Sequence, residues 1–111
     1  MIELVDKEVE RIKKDIINWR IHFHMYPELG FQEYKTSKRI QEILKRIGIS
    51  YEVKGKTGVI GYINKNSSKT IGIRADIDAL PIEEETGLPF SSKNKGIMHA
   101  CGHDGHTATL L

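Results

Sequence analysis

The hydrophobic period of this chain changes once, near Gly48, from that of helices to that of strands. Between residues 3 and 25, Val5, Val9, Ile12, Ile16 and Trp19 recur at spacings of three and four. That spacing gathers them on one face of a helix. Lys7, Glu10, Lys13, Lys14 and Asp15 fall mostly on the other side. Pro27 has no amide hydrogen and disfavours helix in the residue before it, so the helix is expected to end by Tyr26. A second helix is predicted from about Glu33 to Ile47, with Ile40, Ile43, Leu44 and Ile47 as its apolar stripe. Gly48 is placed to terminate it in the left-handed conformation. Lys35, Lys38, Arg39, Lys45 and Arg46 form a basic opposite face, which ordinarily means a solvated one.

Beyond Gly48 the period shortens. Tyr51-Glu52-Val53-Lys54 alternates like a half-buried strand, and Gly58 to Ile63 is a β-rich run. The cluster Asn64-Lys65-Asn66-Ser67-Ser68 reads as a turn. A third strand is predicted over Thr70–Ala75, leading into Asp76-Ile77-Asp78-Ala79-Leu80-Pro81. Strands bounded by turn clusters, following two helices, predict an α/β fold in which helices pack on a sheet. There is no internal repeat and no Pro/Gly/Ser linker, so a single domain is expected.

Composition narrows the function classes. Charged residues are 29% and hydrophobic residues 39% of 111, an ordinary soluble balance. No apolar run reaches the ~18 residues of a membrane span. The net charge of +2 arises from 17 basic and 15 acidic residues, well mixed, without the basic stripe of a nucleic-acid binder. Aromatics at 7% are too sparse for a base-stacking platform. The lone Cys101 has no partner for an intrachain disulfide, and MIELVDKEVERIKK lacks the apolar core of a signal peptide. A cytoplasmic location is expected. The chain stops on His-Thr-Ala-Thr-Leu-Leu with no terminator, which reads as a helix cut in its first turns.

Chemistry concentrates in Met98-His99-Ala100-Cys101-Gly102-His103-Asp104-Gly105-His106. His99, Cys101 and His103 alternate, and in an extended segment all three would point one way. His106 lies three residues past His103, one turn on if a helix begins at Asp104 or Gly105. Imidazole and thiolate are the ligands that borderline metals such as zinc prefer, so the cluster points to metal binding. Two other readings stand beside it. One is a Cys–His nucleophilic pair, for which Cys101 and His103 are too close in sequence, since the base usually comes from a distant segment. The other is a tail with incidental histidines. A zinc finger does not fit, because the second ligand pair is missing.

Asp76 and Asp78 share one face at the end of an apolar strand, where open α/β sheets bind ligands. Alone they read as a solvated turn. Beside a Cys/His cluster, they suit orienting a ligand imidazole through its second nitrogen or binding a cation directly. His22 and His24, near the end of the first helix, read as ligands or as polar residues closing that helix, and the second role is favoured. Glu83, Glu84 and Glu85 read as a surface turn.

Together these stretches resemble the dinuclear-metal aminoacylase/carboxypeptidase family of metallopeptidases, in its amidohydrolase branch. That branch includes N-acyl-amino-acid amidohydrolases, hippurate hydrolases and indole-acetyl-amino-acid hydrolases. The matching segments are His24 to Glu33, Thr57-Gly58-Val59, Arg74 to Pro81, Glu84 to Phe90 and Gly96 to Thr107. Ile21 departs from the basic pair usual before the first histidine, and Ile77 replaces a common methionine; neither alters a ligand type. The resemblance implies the N-terminal part of a three-layer α/β/α zinc-peptidase-like catalytic domain, with a mostly parallel sheet. A lid or dimerisation domain would follow later in the chain, and the complete enzyme would be a homodimer. It implies two divalent metal ions (zinc, manganese, cobalt or nickel), with Cys101 and His103 as ligands and Asp76 and Asp78 in support. The role of His106 stays open between facing the site and packing beneath it. The remaining ligands and a glutamate general base would lie beyond Leu111, leaving residues 1–111 inactive by themselves. The implied reaction is metal-dependent hydrolysis of the amide of an N-acyl amino acid or a related conjugate, a small-molecule substrate. The competing reading is a non-catalytic, zinc-stabilised binding module.

Overall fold

Pro27 ends the first helix where the sequence predicts. In the computed structural model, which describes residues 1–64 and 66–111, helix α1 spans Ile2–Met25. Helix α2 spans Tyr34–Arg46, strand β1 Ser50–Lys54, strand β2 Gly58–Tyr62 and helix α3 His103–Leu110. Gly48 takes φ +81°, and the turn around it closes with Ile49 N–H donating to the Leu44 carbonyl at 2.9 Å. This is the left-handed termination expected of a glycine there. The predicted turn over Asn64–Ser68 includes Lys65, which lies outside the described residues.

Phe23, Ile40, Ile43 and Leu44 form the core, and Trp19, Ile49, Tyr51, Val59, Ile77 and Leu111 pack around them. The core thus joins the end of α1 to the apolar stripe of α2 and one face of the β1–β2 hairpin. Val5 and Val9 remain exposed, so only the C-terminal part of the α1 stripe is covered. The two strands pair antiparallel, with Glu52 opposite Ile60 and Val53 opposite Val59.

The third predicted strand does not form. Thr70–Ala75 carries no strand pairing, and Ile71 and Ile73 are 87% and 77% exposed. The hairpin strands pair with each other, and among the described residues no segment pairs with 70–75 in a ladder. A parallel partner needs a crossover of a dozen or more residues to deliver it. The mixed helix–strand class holds, but the sheet described here is the antiparallel hairpin rather than the mostly parallel sheet the resemblance implies.

Loops, not strands, assemble the site. Ala79 N–H donates to the Glu28 carbonyl at 2.8 Å, in an isolated parallel bridge between Leu29 and Ala79. Leu80 and Met98 exchange two backbone hydrogen bonds of 2.9 and 3.0 Å. These bridges tie the chain after α1, the Asp76–Pro81 segment and the His99 segment side by side. The carboxylates of Pro27-Glu28-Leu29-Gly30-Phe31-Gln32-Glu33 brace this arrangement. Glu28 accepts from the Lys35 and Thr36 amides at 3.1 and 2.6 Å, satisfying free donors at the start of α2. Buried Glu33 accepts from Phe31 N–H at 2.9 Å and from the Thr57 hydroxyl at 2.6 Å, clamping the hairpin turn.

Candidate metal centre

His103 begins α3, and the residue before it makes the turn. Gly102 holds φ +87°, a left-handed conformation that costs an L-residue with a Cβ roughly 1–2 kcal/mol. Nothing lies within 4 Å of where a Cβ would sit, so the penalty is in the backbone alone. Gly102→Ala is accordingly expected to lower the unfolding free energy by about 1–2 kcal/mol. Urea titration of the variant checks this, and an unchanged midpoint would contradict it.

The His103 ring is oriented by the Asp76–Asp78 segment. Its Nδ1 lies 3.0 Å from both the carboxylate and the backbone carbonyl of Asp78. Both partners are acceptors, so Nδ1–H is the donor here and Nε2 is the nitrogen that remains for another partner. Asp76 Oδ2 is 3.8 Å from Nε2, and Asp76 also pairs with Arg74. The Thr107 hydroxyl bridges the Asp76 and His103 carbonyls at 3.0 and 2.8 Å, fastening α3 to this segment. Both aspartates therefore face His103, and each side chain is a little over one third exposed. Cys101 and His106 are exposed, and the His106 ring lies 5.7 Å from that of His103.

His99 departs from the predicted arrangement. It is 4% exposed, while Cys101 faces out, so His99, Cys101 and His103 do not share one face. The reason is local: the chain already turns at His99, where Ala100 N–H donates to the Met98 carbonyl at 2.9 Å, and it turns again at Gly102 before the helix begins at His103. Burial lowers the His99 pKa, an effect reinforced by the nearby His24 and His103 and opposed by Asp104 and Asp78. Among the described residues neither His99 ring nitrogen has a hydrogen-bond partner.

His24 is placed by the structure as a buried residue between two carboxylates, Asp104 and Glu84. Its Nδ1 is 2.8 Å from Asp104 Oδ2, and its Nε2 is 3.0 Å from Glu84 Oε1. Arg20 Nε donates to the same Asp104 oxygen at 2.9 Å. Glu84 also accepts from the Ser92 amide at 2.8 Å and from the Thr86 hydroxyl. The side chains of His24 and Glu84 are each 3% exposed, so Glu84 is no part of a surface turn. Glu85 is exposed, and Glu83 accepts from the Gly96 amide. Burial alone would raise the Glu84 pKa, but the Thr86, Ser92 and His24 hydrogen bonds outweigh it and bring it to about 2. Asp104 is likewise lowered: burial opposes, and His24, the Gly105 amide and Arg20 outweigh it. The sequence carried no local sign of this network, because its partners are 60 and 80 residues apart. His22 stacks at a tilt on Tyr26, its pKa lowered by burial and by Arg39 against the opposing pull of Glu42.

Among the described residues no group of three or more His, Cys, Asp or Glu side chains is arranged to hold a metal ion. The two donors the sequence singles out are an exposed thiol, Cys101, and a partly buried imidazole, His103, whose side chain is 18% exposed. That donor set suits a borderline divalent ion, and the carboxylate behind the ring is the usual companion of a metal-bound histidine.

Residues 72–111 match the sequence profile of peptidase family M20/M25/M40. Over 111 aligned residues the chain is 48% identical to an N-acyl-L-amino acid amidohydrolase of Geobacillus stearothermophilus, covering 98% of this chain and 30% of that protein. It is 52% identical over 106 residues to a hippurate hydrolase of Campylobacter jejuni, covering 94% of this chain and 26% of that one. The fold matches the crystal structure of the Bacillus subtilis YXEP protein, a dinuclear metal-binding peptidase from the M20 family. The TM-score is 0.84 at 48% identity, covering 90% of this chain and 29% of that chain. Sequence and fold agree with the resemblance seen in the motifs: the chain belongs to peptidase family M20. The chain spans about 30% of the length of these relatives. No helix among the described residues is long and apolar enough to cross a membrane.

Proposed function

We propose that this chain forms part of the catalytic domain of a metal-dependent amidohydrolase that cleaves N-acyl amino acids or related conjugates. Cys101 and His103 are its metal ligands, and Asp78, with Asp76 beside it, supports the metal-binding imidazole. The observation that carries this reading is the His103 ring, held at Nδ1 by Asp78 with Nε2 left for a ligand. The amidohydrolase and hippurate hydrolase names of similar proteins support the substrate class. The dinuclear centre named for the YXEP protein supports two divalent ions, of the zinc, manganese, cobalt or nickel kind. Bound there, such ions would polarise the scissile carbonyl and acidify a water. The chain's own contribution is positional. Asp78 fixes which His103 nitrogen is free, Thr107 fixes α3 against the Asp76 backbone, and Gly102 sets the turn between the two ligands. A thiol ligand must stay reduced, which supports a cytoplasmic setting for the exposed, unpaired Cys101. Residues beyond these 111 would complete the ligand set, the general base and a homodimeric enzyme.

The test is metal content by mass spectrometry of the full-length protein with Cys101→Ser and His103→Ala. Each variant is expected to lose bound metal relative to the parent. Undiminished stoichiometry in both would overturn the assignment.

A further inference from the structure

The proposed ligands sit on a turn that has little of its own to hold it. The N-cap of α3 is Gly102, and no side chain caps the helix start. Cys101 is exposed. The residue that does anchor this turn is Asp104, which directly follows His103 and is 2% exposed. Its carboxylate faces His24 Nδ1 at 2.8 Å and Arg20 Nε at 2.9 Å, both from α1. The other His24 nitrogen faces Glu84 at 3.0 and 3.1 Å, and Glu84 is fixed by the Ser92 amide and Thr86 hydroxyl. Phe90 stacks edgewise on His24, with its ring centroid 5.3 Å from the Arg20 guanidinium carbon.

We propose that Glu84, His24, Asp104 and Arg20 form a positioning network that sets the start of α3 and so aims His103 at the metal. This rests on the metal-centre reading above and extends it to residues that touch no metal. The chemistry of the network supports a geometric role. His24 lies between two carboxylates, with Nδ1 2.8 Å from Asp104 and Nε2 3.0 Å from Glu84, so its ring plane is fixed from two directions. Arg20 Nε donates to the same Asp104 oxygen that His24 faces, so Asp104 is held from two positions on α1. Buried ion pairs rarely stabilise a fold more than well-packed apolar residues of the same volume. Their distinctive property is that they tolerate one geometry and penalise others. Here that geometry fixes the position of Asp104, one peptide bond from His103. Asp78 then sets the rotation of the ring, while the network sets where the ring begins.

The test compares three variants of the full-length protein loaded with cobalt(II): His24→Asn, Glu84→Gln and Ile43→Ala. Metal affinity is measured by chelator competition, and coordination by the cobalt ligand-field and thiolate charge-transfer absorption. Ile43 is 1% exposed in the core and outside the network, and its truncation leaves a cavity that destabilises the fold. It therefore reports what general loss of stability does to the metal site. His24→Asn is expected to weaken cobalt binding about 10–100-fold and alter the absorption, as loss of an outer partner of a metal ligand typically does. Glu84→Gln keeps the shape and is expected to show a smaller shift in the same direction. Ile43→Ala should retain both affinity and spectrum. Should His24→Asn fail to fold, Glu84→Gln decides. Parental affinity and spectrum in the network variants would overturn the proposal, as would an equal loss in Ile43→Ala. Absence of thiolate absorption in the cobalt-loaded parent would instead sink the metal reading, and this inference with it.

Discussion

Asp104→Ala is expected to lower the unfolding free energy by about 3–5 kcal/mol, the usual cost of removing one partner from a buried ion pair. The cost lies in what remains. Arg20 Nε and His24 Nδ1 both converge on Asp104 Oδ2. With the carboxylate gone, His24 keeps Glu84 while its Nδ1 loses its acceptor. Arg20 is 40% exposed at its side chain and recovers part of its solvation, which favours the lower half of the range. Asp104→Asn retains an acceptor oxygen and should cost less. Urea denaturation followed by circular dichroism measures both, and a loss under 1 kcal/mol for the alanine variant would contradict the account. The same network gives stability an acid limb. Glu84 titrates at about 2 rather than at its ordinary 4.5. An unfolded chain therefore takes up the proton at higher pH than the folded one does. The contribution of Glu84 is present in full above pH about 4.5 and is lost as pH falls towards about 2. Glu84→Gln should flatten that part of the stability–pH profile; an unaltered acid limb would count against the assignment.

The parts of this structure that the sequence made legible are those written by neighbours in the chain. α1 stops at Pro27, and α2 stops at Gly48, because a missing amide hydrogen and a left-handed glycine act on the backbone at their own positions. The β1–β2 hairpin was legible for the same reason, its strands being separated only by Gly55, Lys56 and Thr57. Thr70–Ala75 shows the opposite case. Its alternation and β-branched residues suit a strand, but a strand exists only against a partner, and among the described residues none pairs with it. Pattern there reports capacity rather than outcome.

The candidate site divides the same way. That Asp76 or Asp78 would orient an imidazole or bind a cation could be expected from ligand chemistry, but which imidazole could not; it is His103 that Asp78 meets. His99 could not be placed, since its alternation with Cys101 assumed an extended backbone, and the chain turns at His99 itself, with Ala100 N–H on the Met98 carbonyl. Three consecutive glutamates looked alike in sequence and have three fates: Glu83 meets the Gly96 amide, Glu84 is buried on His24, and Glu85 is exposed. Nothing within a few residues separates them. What separates them is the position of α1, which brings His24 over Glu84 from 60 residues away.

Asp78→Ala is expected to weaken divalent-metal binding by the full-length protein about 10–100-fold while leaving the fold in place. The side chain is 39% exposed, so truncation opens no core cavity, and unfolding stability should move by less than about 0.5 kcal/mol. What is lost is the charge behind His103. The carboxylate at 3.0 Å from Nδ1 faces the ring and holds its plane; the Asp78 carbonyl, also at 3.0 Å, survives substitution and keeps one acceptor in place. The ring then retains its tautomer while losing electrostatic support, so metal affinity should fall without total loss of metal. Asp78→Asn separates the two contributions, because its amide oxygen still accepts from Nδ1–H while the charge is gone. If charge dominates, the asparagine variant follows the alanine one; if orientation dominates, it stays near the parent. Chelator competition with zinc or cobalt measures all three proteins. Affinity of the alanine variant within twofold of the parent would remove Asp78 from the metal centre, leaving its contact with His103 as a helix-docking hydrogen bond.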